Sequence, residues 1–148
     1  AAEVQKRFEY IFGKPVPGLP RVELIDIEPD RPFVLEGVTV QPIGIQHGRL
    51  PILGYRFGDL TYLTDVKSVL PEELQKIKGT KYLITSALHH DNHPTHMNLK
   101  EALELVGKIA PEQAWLTHIS HNMGLAADVG RQLGPGISLA YDGLEIKF

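Results

Sequence analysis

Cysteine is absent from the 148 residues, which excludes disulfides, thiolate zinc sites and cysteine nucleophiles within this chain. Any metal held here must be held by imidazole and carboxylate. Long hydrophobic runs are missing too. None approaches the roughly 18 residues that a membrane span needs, and no signal-peptide pattern opens the chain, so a cytoplasmic location without a membrane partner is the expectation. A basic field is also lacking: 15 Lys and Arg face 18 Asp and Glu, a formal net charge of −3. That balance argues against a nucleic-acid partner. It leaves room for a phosphate-bearing substrate, because a metal ion supplies positive charge locally.

What is present is ordinary for a globular protein: 43% hydrophobic and 22% charged residues. The length suits one domain or part of a larger one. The chain opens without an initiator methionine, inside a stretch, Ala1–Phe12, whose Val4, Phe8 and Ile11 fall at helical spacing. The expectation is that residues precede Ala1 in the gene product.

Gly13–Pro20, rich in proline and glycine, is expected to form a loop. Val22–Ile27, Pro32–Leu35, Val38–Ile45, Ile52–Phe57 and Leu60–Thr64 carry the alternation of half-buried strands. Glu36-Gly37 and Gly58-Asp59 join neighbouring strands, and Asp142-Gly143 predicts a closing hairpin of Ile137–Tyr141 with Leu144–Phe148. Tyr82–Ala87 and Ala114–Thr117 are short apolar runs, suited to buried strands. Helices are expected over Pro71–Lys78, Asn98–Ile109 and Leu125–Leu133. Asn98 with Glu101 forms a capping-box pattern, and Leu99, Leu103 and Val106 make one apolar stripe. Hairpins first, then alternating helices and strands, predict an α/β domain with helices covering a mixed sheet.

The chemistry is carried by histidines and one aspartate. His47, Asp65 and His118 each follow directly on an apolar strand segment. In layered α/β folds, strand ends converge on the crevice where ligands bind. Two imidazoles and a carboxylate there suit zinc, manganese or iron(II), and a lone carboxylate can bridge two ions. Four of the seven histidines fall in one stretch, His89-His90-Asp91-Asn92-His93-Pro94-Thr95-His96. His96, just ahead of the Asn98 cap, is placed to aim its ring at the same crevice as a general acid or base. Each residue alone has a plainer reading. A histidine after a strand is ordinarily a hydrogen-bonded surface residue, and Asp65 suits a turn or a helix cap ahead of Val66–Leu70. His89 and His90 read as solvent-facing, His93 as a loop-orienting residue, and His121 as an outer neighbour of the site or merely exposed. The coincidence of three strand-end donors with a histidine-rich loop is what lifts the site above those readings.

Taken in order, Ile45-Gln46-His47-Gly48, Thr61-Tyr62-Leu63-Thr64-Asp65, His93-Pro94-Thr95-His96, Thr117-His118-Ile119-Ser120-His121 and Tyr141-Asp142-Gly143 resemble the metallo-β-lactamase superfamily. Specifically, they resemble the branch of the cyclic-phosphate phosphodiesterase of phosphonate breakdown and, more distantly, the tRNA 3′-end endonuclease. The resemblance implies part of an αββα sandwich. It also implies that His47 and His118 each ligate a metal, that Asp65 bridges two, and that His96 is a catalytic histidine giving a proton to the leaving oxygen. The cofactors would be two divalent ions, zinc or manganese, in the intact protein. The reaction would be hydrolysis of a small phosphorylated substrate by a metal-bound hydroxide, with a nuclease, lactonase, thioesterase or non-catalytic binding subunit as alternatives.

The superfamily's His-x-His-x-Asp-His motif is absent from these 148 residues. The chain is therefore expected to be the C-terminal portion of one such domain. Alone it would be inactive, hold its metals partly or not at all, and self-associate through its uncovered inner face.

Overall fold

The structure, a computed structural model, describes residues 2–13, 17–20 and 22–148. The period-two segments build one mixed sheet. β1 (Phe33–Leu35), β2 (Val38–His47), β3 (Leu50–Phe57) and β4 (Leu60–Leu63) form an antiparallel meander. The short β5 (Ser68–Val69) turns back to pair with β2. β6 (Tyr82–Ser86), β7 (Gln113–Thr117) and β8 (Ile137–Leu139) then extend the sheet in parallel from β4. The spatial order is β1-β2-β3-β4-β6-β7-β8. Two antiparallel steps separate β2 from β4, so β2, β4, β6 and β7 all point the same way. Their C-terminal ends share one edge, and that edge is where the site forms.

The helices are α1 (Ala2–Arg7), α2 (Glu9–Phe12), α3 (Pro71–Ile77), α4 (Leu99–Ile109) and α5 (Ala126–Gly130). Asn98 and Glu101 close the expected capping box reciprocally, each side chain bonding the other's backbone N–H at 2.9 Å. Leu99, Ala102, Leu105 and Val106 of α4 pack in one core with Ile43, Ile45, Leu63, Leu83 and Leu116 of the sheet. The edge of β2 between its β1 and β5 pairings is covered by α3, whose Glu73 Oε2 accepts from the Gly44 N–H at 2.6 Å. The sheet's other face bears Tyr55, Tyr62, Ile84 and Trp115 side by side in register. None of them belongs to the helix-side core, and Tyr62 is 41% exposed.

Three expectations are corrected. Val22–Ile27 forms no strand among the described residues, and Ile25 there is 77% exposed. The first helix is not continuous but breaks at Phe8 (φ −118°, ψ 37°), and its apolar stripe stays half open, with Val4 43% and Phe8 45% exposed. Its residue Ala1, and 14–16 of the following loop, lie outside the described residues.

The closing hairpin is absent as well. Leu144 N–H does bond Tyr141 C=O at 3.1 Å, but only Gly143 of the two central residues has positive φ (87°). A type I′ turn needs positive φ at both, as Glu36 (48°) and Gly37 (81°) show between β1 and β2. Without that twist, residues 144–148 do not return along β8. A smaller departure is that Val66–Leu70, offered as a helix, instead contains β5, held by the bond from Lys67 N–H to Gln46 C=O at 2.6 Å.

One buried hydroxyl, Thr85 Oγ1, lacks a hydrogen-bond partner within the described part of the core. Thr85→Val is expected to raise stability by about 1 kcal/mol, since an unpaired buried hydroxyl is destabilising. Urea unfolding checks it; a lower midpoint would show that the hydroxyl has a partner.

Candidate metal and catalytic site

The strand ends bring four side chains together. His47 closes β2. Asp65 follows β4 by two residues, and His118 directly follows β7. Both of these take left-handed backbone, each with φ 56°. Asp and His tolerate that region better than most residues, but it still carries strain of about 1 kcal/mol for a side chain with a Cβ. Strained residues of this kind cluster at functional sites, and here the twist turns both side chains toward the shared edge.

His96 comes from the loop between β6 and α4. The loop is tied at several points: Met97 N–H to Val66 C=O (2.9 Å), Leu88 N–H to Met97 C=O (2.9 Å) and Leu99 N–H to His89 C=O (2.8 Å). Met97 itself is buried in the core, 3% exposed. On the far side, Gly48 sits with φ 63° where an added Cβ would lie 3.0 Å from Thr95 Cγ2 and 3.2 Å from Pro94 C=O. The tight turn after His47 therefore lets the histidine loop approach.

The resulting distances are short. His96 Nε2 lies 3.3 Å from His47 Nε2 and 3.2 Å from Asp65 Oδ1. His118 Nε2 lies 3.4 Å from the same Asp65 oxygen. The His96 ring stands edge-on to His47 (centroids 4.6 Å) and stacks on His118 (4.8 Å). His47, Asp65 and His96 offer donor atoms all within 4.8 Å of one another. His118 joins that trio through Asp65.

The donor set fits a divalent ion. Two ligands each about 2.05 Å from a tetrahedral zinc sit roughly 3.3 Å apart; Asp65 Oδ1 and His118 Nε2 are 3.4 Å apart, and the donor atoms of His47, Asp65 and His96 lie within 4.8 Å of one another. Imidazole and carboxylate donors suit zinc or manganese.

Electrostatics separates the roles. The His96 side chain is 13% exposed, against 47% for Asp65 and 38% for His118. Burial is the main cause that holds the His96 pKa below its ordinary 6.5. The Asp65 contact opposes this, and the neighbouring imidazoles of His118, His47 and His93 add to the lowering.

The remaining histidines are spread around this group. His93 is half-buried, its Nδ1 3.2 Å from His96 Nδ1. His89 is half-buried rather than solvent-facing, its Nδ1 accepting from Asp91 N–H at 3.1 Å. His90 is exposed, with Nε2 3.0 Å from Met123 C=O. His121 is exposed in a short 3-10 turn, His121–Met123. Sequence reasoning passed over Thr95, whose hydroxyl is 2.8 Å from His96 Nδ1; a threonine between two histidines gives no periodic signal. It also passed over Lys67, whose ammonium bonds both Glu101 oxygens (2.7 and 2.8 Å) and so ties the Asp65 segment to the start of α4.

That clamp gives a pH-dependent prediction. Burial alone would raise the Glu101 pKa, but the Lys67 hydrogen bond, the Asn98 backbone N–H and the Lys67 charge together hold it below 4.5. A depressed carboxyl contributes stability that is present above about pH 4.5 and lost as pH falls through the folded value. Glu101→Gln is expected to lower stability at pH 7 by about 1 kcal/mol and to lessen the loss between pH 7 and pH 4. Urea midpoints at both pH values test this; an acid-side loss as large as the parent's would assign the sensitivity to other groups.

Comparison with known proteins agrees with this geometry. The model of the beta-lactamase superfamily domain matches residues 1–119. The chain belongs to the metallo-β-lactamase superfamily. It is similar to a diphosphatase of the PhnP family, with 33% identity and a TM-score of 0.86 over 98% of this chain and 54% of that one. The metallo-beta-lactamase fold protein YhfI from Bacillus subtilis shares the fold at 17% identity and a TM-score of 0.71, over 94% of this chain and 59% of that one. A protein named octanoyltransferase from Porphyromonas gingivalis (strain ATCC BAA-308 / W83) is 38% identical over 144 residues, 96% of this chain but 29% of that protein. The chain thus spans under a third of the length of that curated relative and about half of the diphosphatase.

Proposed function

We propose that this chain carries half of the catalytic centre of a metal-dependent hydrolase that cleaves phosphoric esters of small molecules, with His47, Asp65 and His118 as metal ligands and His96 as the proton donor. One observation carries the reading: side chains from the ends of β2, β4 and β7 and from the β6–α4 loop form one run of contacts, His47 to His96 to Asp65 to His118, at 3.2–3.4 Å. The ions, when bound, supply Lewis-acid stabilisation of phosphate charge and a nucleophilic water at neutral pH. His96 brings an imidazole Nε2 to the same point, shielded from solvent on most sides, as proton transfer to a leaving oxygen requires. Asp65, the more exposed partner, presents one oxygen to both His96 and His118, the placing expected of a carboxylate shared between ions.

The diphosphatase relative favours a phosphorus centre over the lactone or thioester alternatives, and the net charge of −3 favours a small substrate over a nucleic acid. Two ions need more ligands than His47, Asp65 and His118 supply, and no helix of the described residues is long and apolar enough to cross a membrane.

The test is hydrolysis of bis-p-nitrophenyl phosphate by the whole protein with added manganese or zinc. His96→Ala is expected to lower kcat by about 10²–10⁴, the usual contribution of a general acid, with metal content unchanged. Full turnover in that variant would remove the acid role, and loss of metal along with turnover would make His96 a ligand instead.

A further inference from the structure

The Tyr141-Asp142-Gly143 segment lies outside the run of contacts from His47 to His118, yet the sheet carries it to the same edge. β8 runs parallel to β7, with Leu139 paired to Leu116. The bond from Ala140 N–H to Leu116 C=O, 2.8 Å, extends that ladder past the last strand residue. His118 and Tyr141 each stand two residues beyond the registered pair, on strands that run about 4.8 Å apart. Tyr141 therefore flanks His118 where the strands end.

Two features set Tyr141 apart from an ordinary surface residue. Its backbone is held on both sides, by the Ala140 bond and by Leu144 N–H to Tyr141 C=O at 3.1 Å. Its ring is free. At 69% exposure it is the most exposed aromatic side chain among the described residues, and it makes no hydrogen bond or ring contact with any of them. Tyr55 and Tyr82, by contrast, rest beside Phe57 and Trp115. A single exposed ring is unremarkable on most surfaces; on a fixed backbone beside His118 it is placed to meet a ligand. The cluster also opens on this side. Asp65 and His118 are 47% and 38% exposed, while His96 is 13% exposed. Ile119, next in the chain to His118, adds an apolar side chain 36% exposed. An ester whose phosphate reaches Asp65 and His118 carries its organic group past Tyr141.

We infer that Tyr141 is a specificity-determining residue that takes a planar ring of the substrate's organic group, aryl or heteroaryl, against its own. Aromatic rings gain from offset or edge-on contact beyond the area they bury. A tyrosine has two side-chain torsions to order, and here the backbone is already ordered, so little freedom is lost on binding. The inference rests on the phosphoric-ester reading of the site and names the kind of ester.

Its test does not need turnover. Isothermal titration of the whole protein, loaded with manganese, compares phenylphosphonate with methylphosphonate, which carries a methyl in place of the ring. Phenylphosphonate is expected to bind about 10-fold more tightly, the size of one aromatic contact. Tyr141→Phe keeps the ring and is expected to keep that ratio. Tyr141→Ala is expected to bring the two affinities within about twofold of each other. Unfolding midpoints check that both variants fold, as the exposure of Tyr141 leads one to expect. Equal affinities in the parent overturn the inference, as does a Tyr141→Ala ratio equal to the parent's. A ratio lost in Tyr141→Phe would assign the effect to the hydroxyl and overturn the ring contact. Ring-dependent binding without turnover of bis-p-nitrophenyl phosphate would count against the proposed hydrolysis and leave the role of Tyr141 standing. Binding of neither phosphonate would overturn both.

Discussion

Asp65→Asn in the whole protein is expected to weaken zinc or manganese binding by more than about 100-fold, because loss of even the outer partners of metal ligands costs 10–100-fold. The asparagine is chosen for the backbone. Asp65 sits at φ 56°, where alanine would add strain of about 1 kcal/mol while asparagine is among the residues that tolerate this region. The substitution thus removes the charge and leaves the turn after β4 intact. The carboxylate's place explains the size of the effect. One oxygen is within 3.4 Å of both His96 Nε2 and His118 Nε2, so its removal takes the shared negative charge from both sides of the cluster at once. The two imidazoles of His47 and His118 form a neutral donor set, poorer at holding two divalent ions close together. Isothermal titration with zinc or manganese chloride makes the measurement, with unfolding curves confirming the fold. An Asp65→Asn protein that binds as tightly as the parent would remove Asp65 from the ligand set and, with it, the bridge on which a dinuclear reading depends.

The strand-end rule made much of this site legible. His47, Asp65 and His118 each follow a short apolar run, and parallel strand direction does bring those ends to one edge. Within the sheet, hydrophobic alternation fixes which way a strand faces, because one face of each strand meets the α4 side of the core. The left-handed turns at 65 and 118 were not legible, since Asp and His occupy that region only where surroundings impose it. Nor was the Thr95 contact, which depends on how the His93–His96 loop folds back on itself and carries no period.

The errors at the ends share another cause. Val22–Ile27 has a strand's alternation yet forms no strand among the described residues, because pairing is not a local property. Asp142-Gly143 forms its turn, yet the conformation of Asp142 decides whether a second strand follows, and that depends on what lies beside β8. β5 was missed because two residues are too few to show a period; its pairing with β2 is fixed by the Asp65 turn that precedes it.

The second large effect concerns the sheet's other face. The 148-residue chain by itself is expected to self-associate at concentrations above about 10 μM, giving sedimentation coefficients that rise with loading. Tyr55, Tyr62, Ile84 and Trp115 stand in one row across β3, β4, β6 and β7, and Tyr82 stacks near Trp115 with ring centroids 6.2 Å apart. Covering such side chains is worth about 1.5–3 kcal/mol each when burial is complete. Even the partial gain open to half-buried rings, multiplied along a row and doubled by a symmetric partner, reaches the roughly 7 kcal/mol that a 10 μM dimer requires. The helix-covered face offers no comparable gain, because its apolar residues are already enclosed: Leu83 and Leu116 are 0% exposed. Tyr62→Lys together with Trp115→Lys places two like charges in the row and is expected to give a monomer at every concentration, without disturbing the edge that carries His47, Asp65 and His118. A parent chain that already sediments as a monomer at 100 μM would show that the row is too well covered by its own chain to attract a partner, and the expectation of self-association would fall.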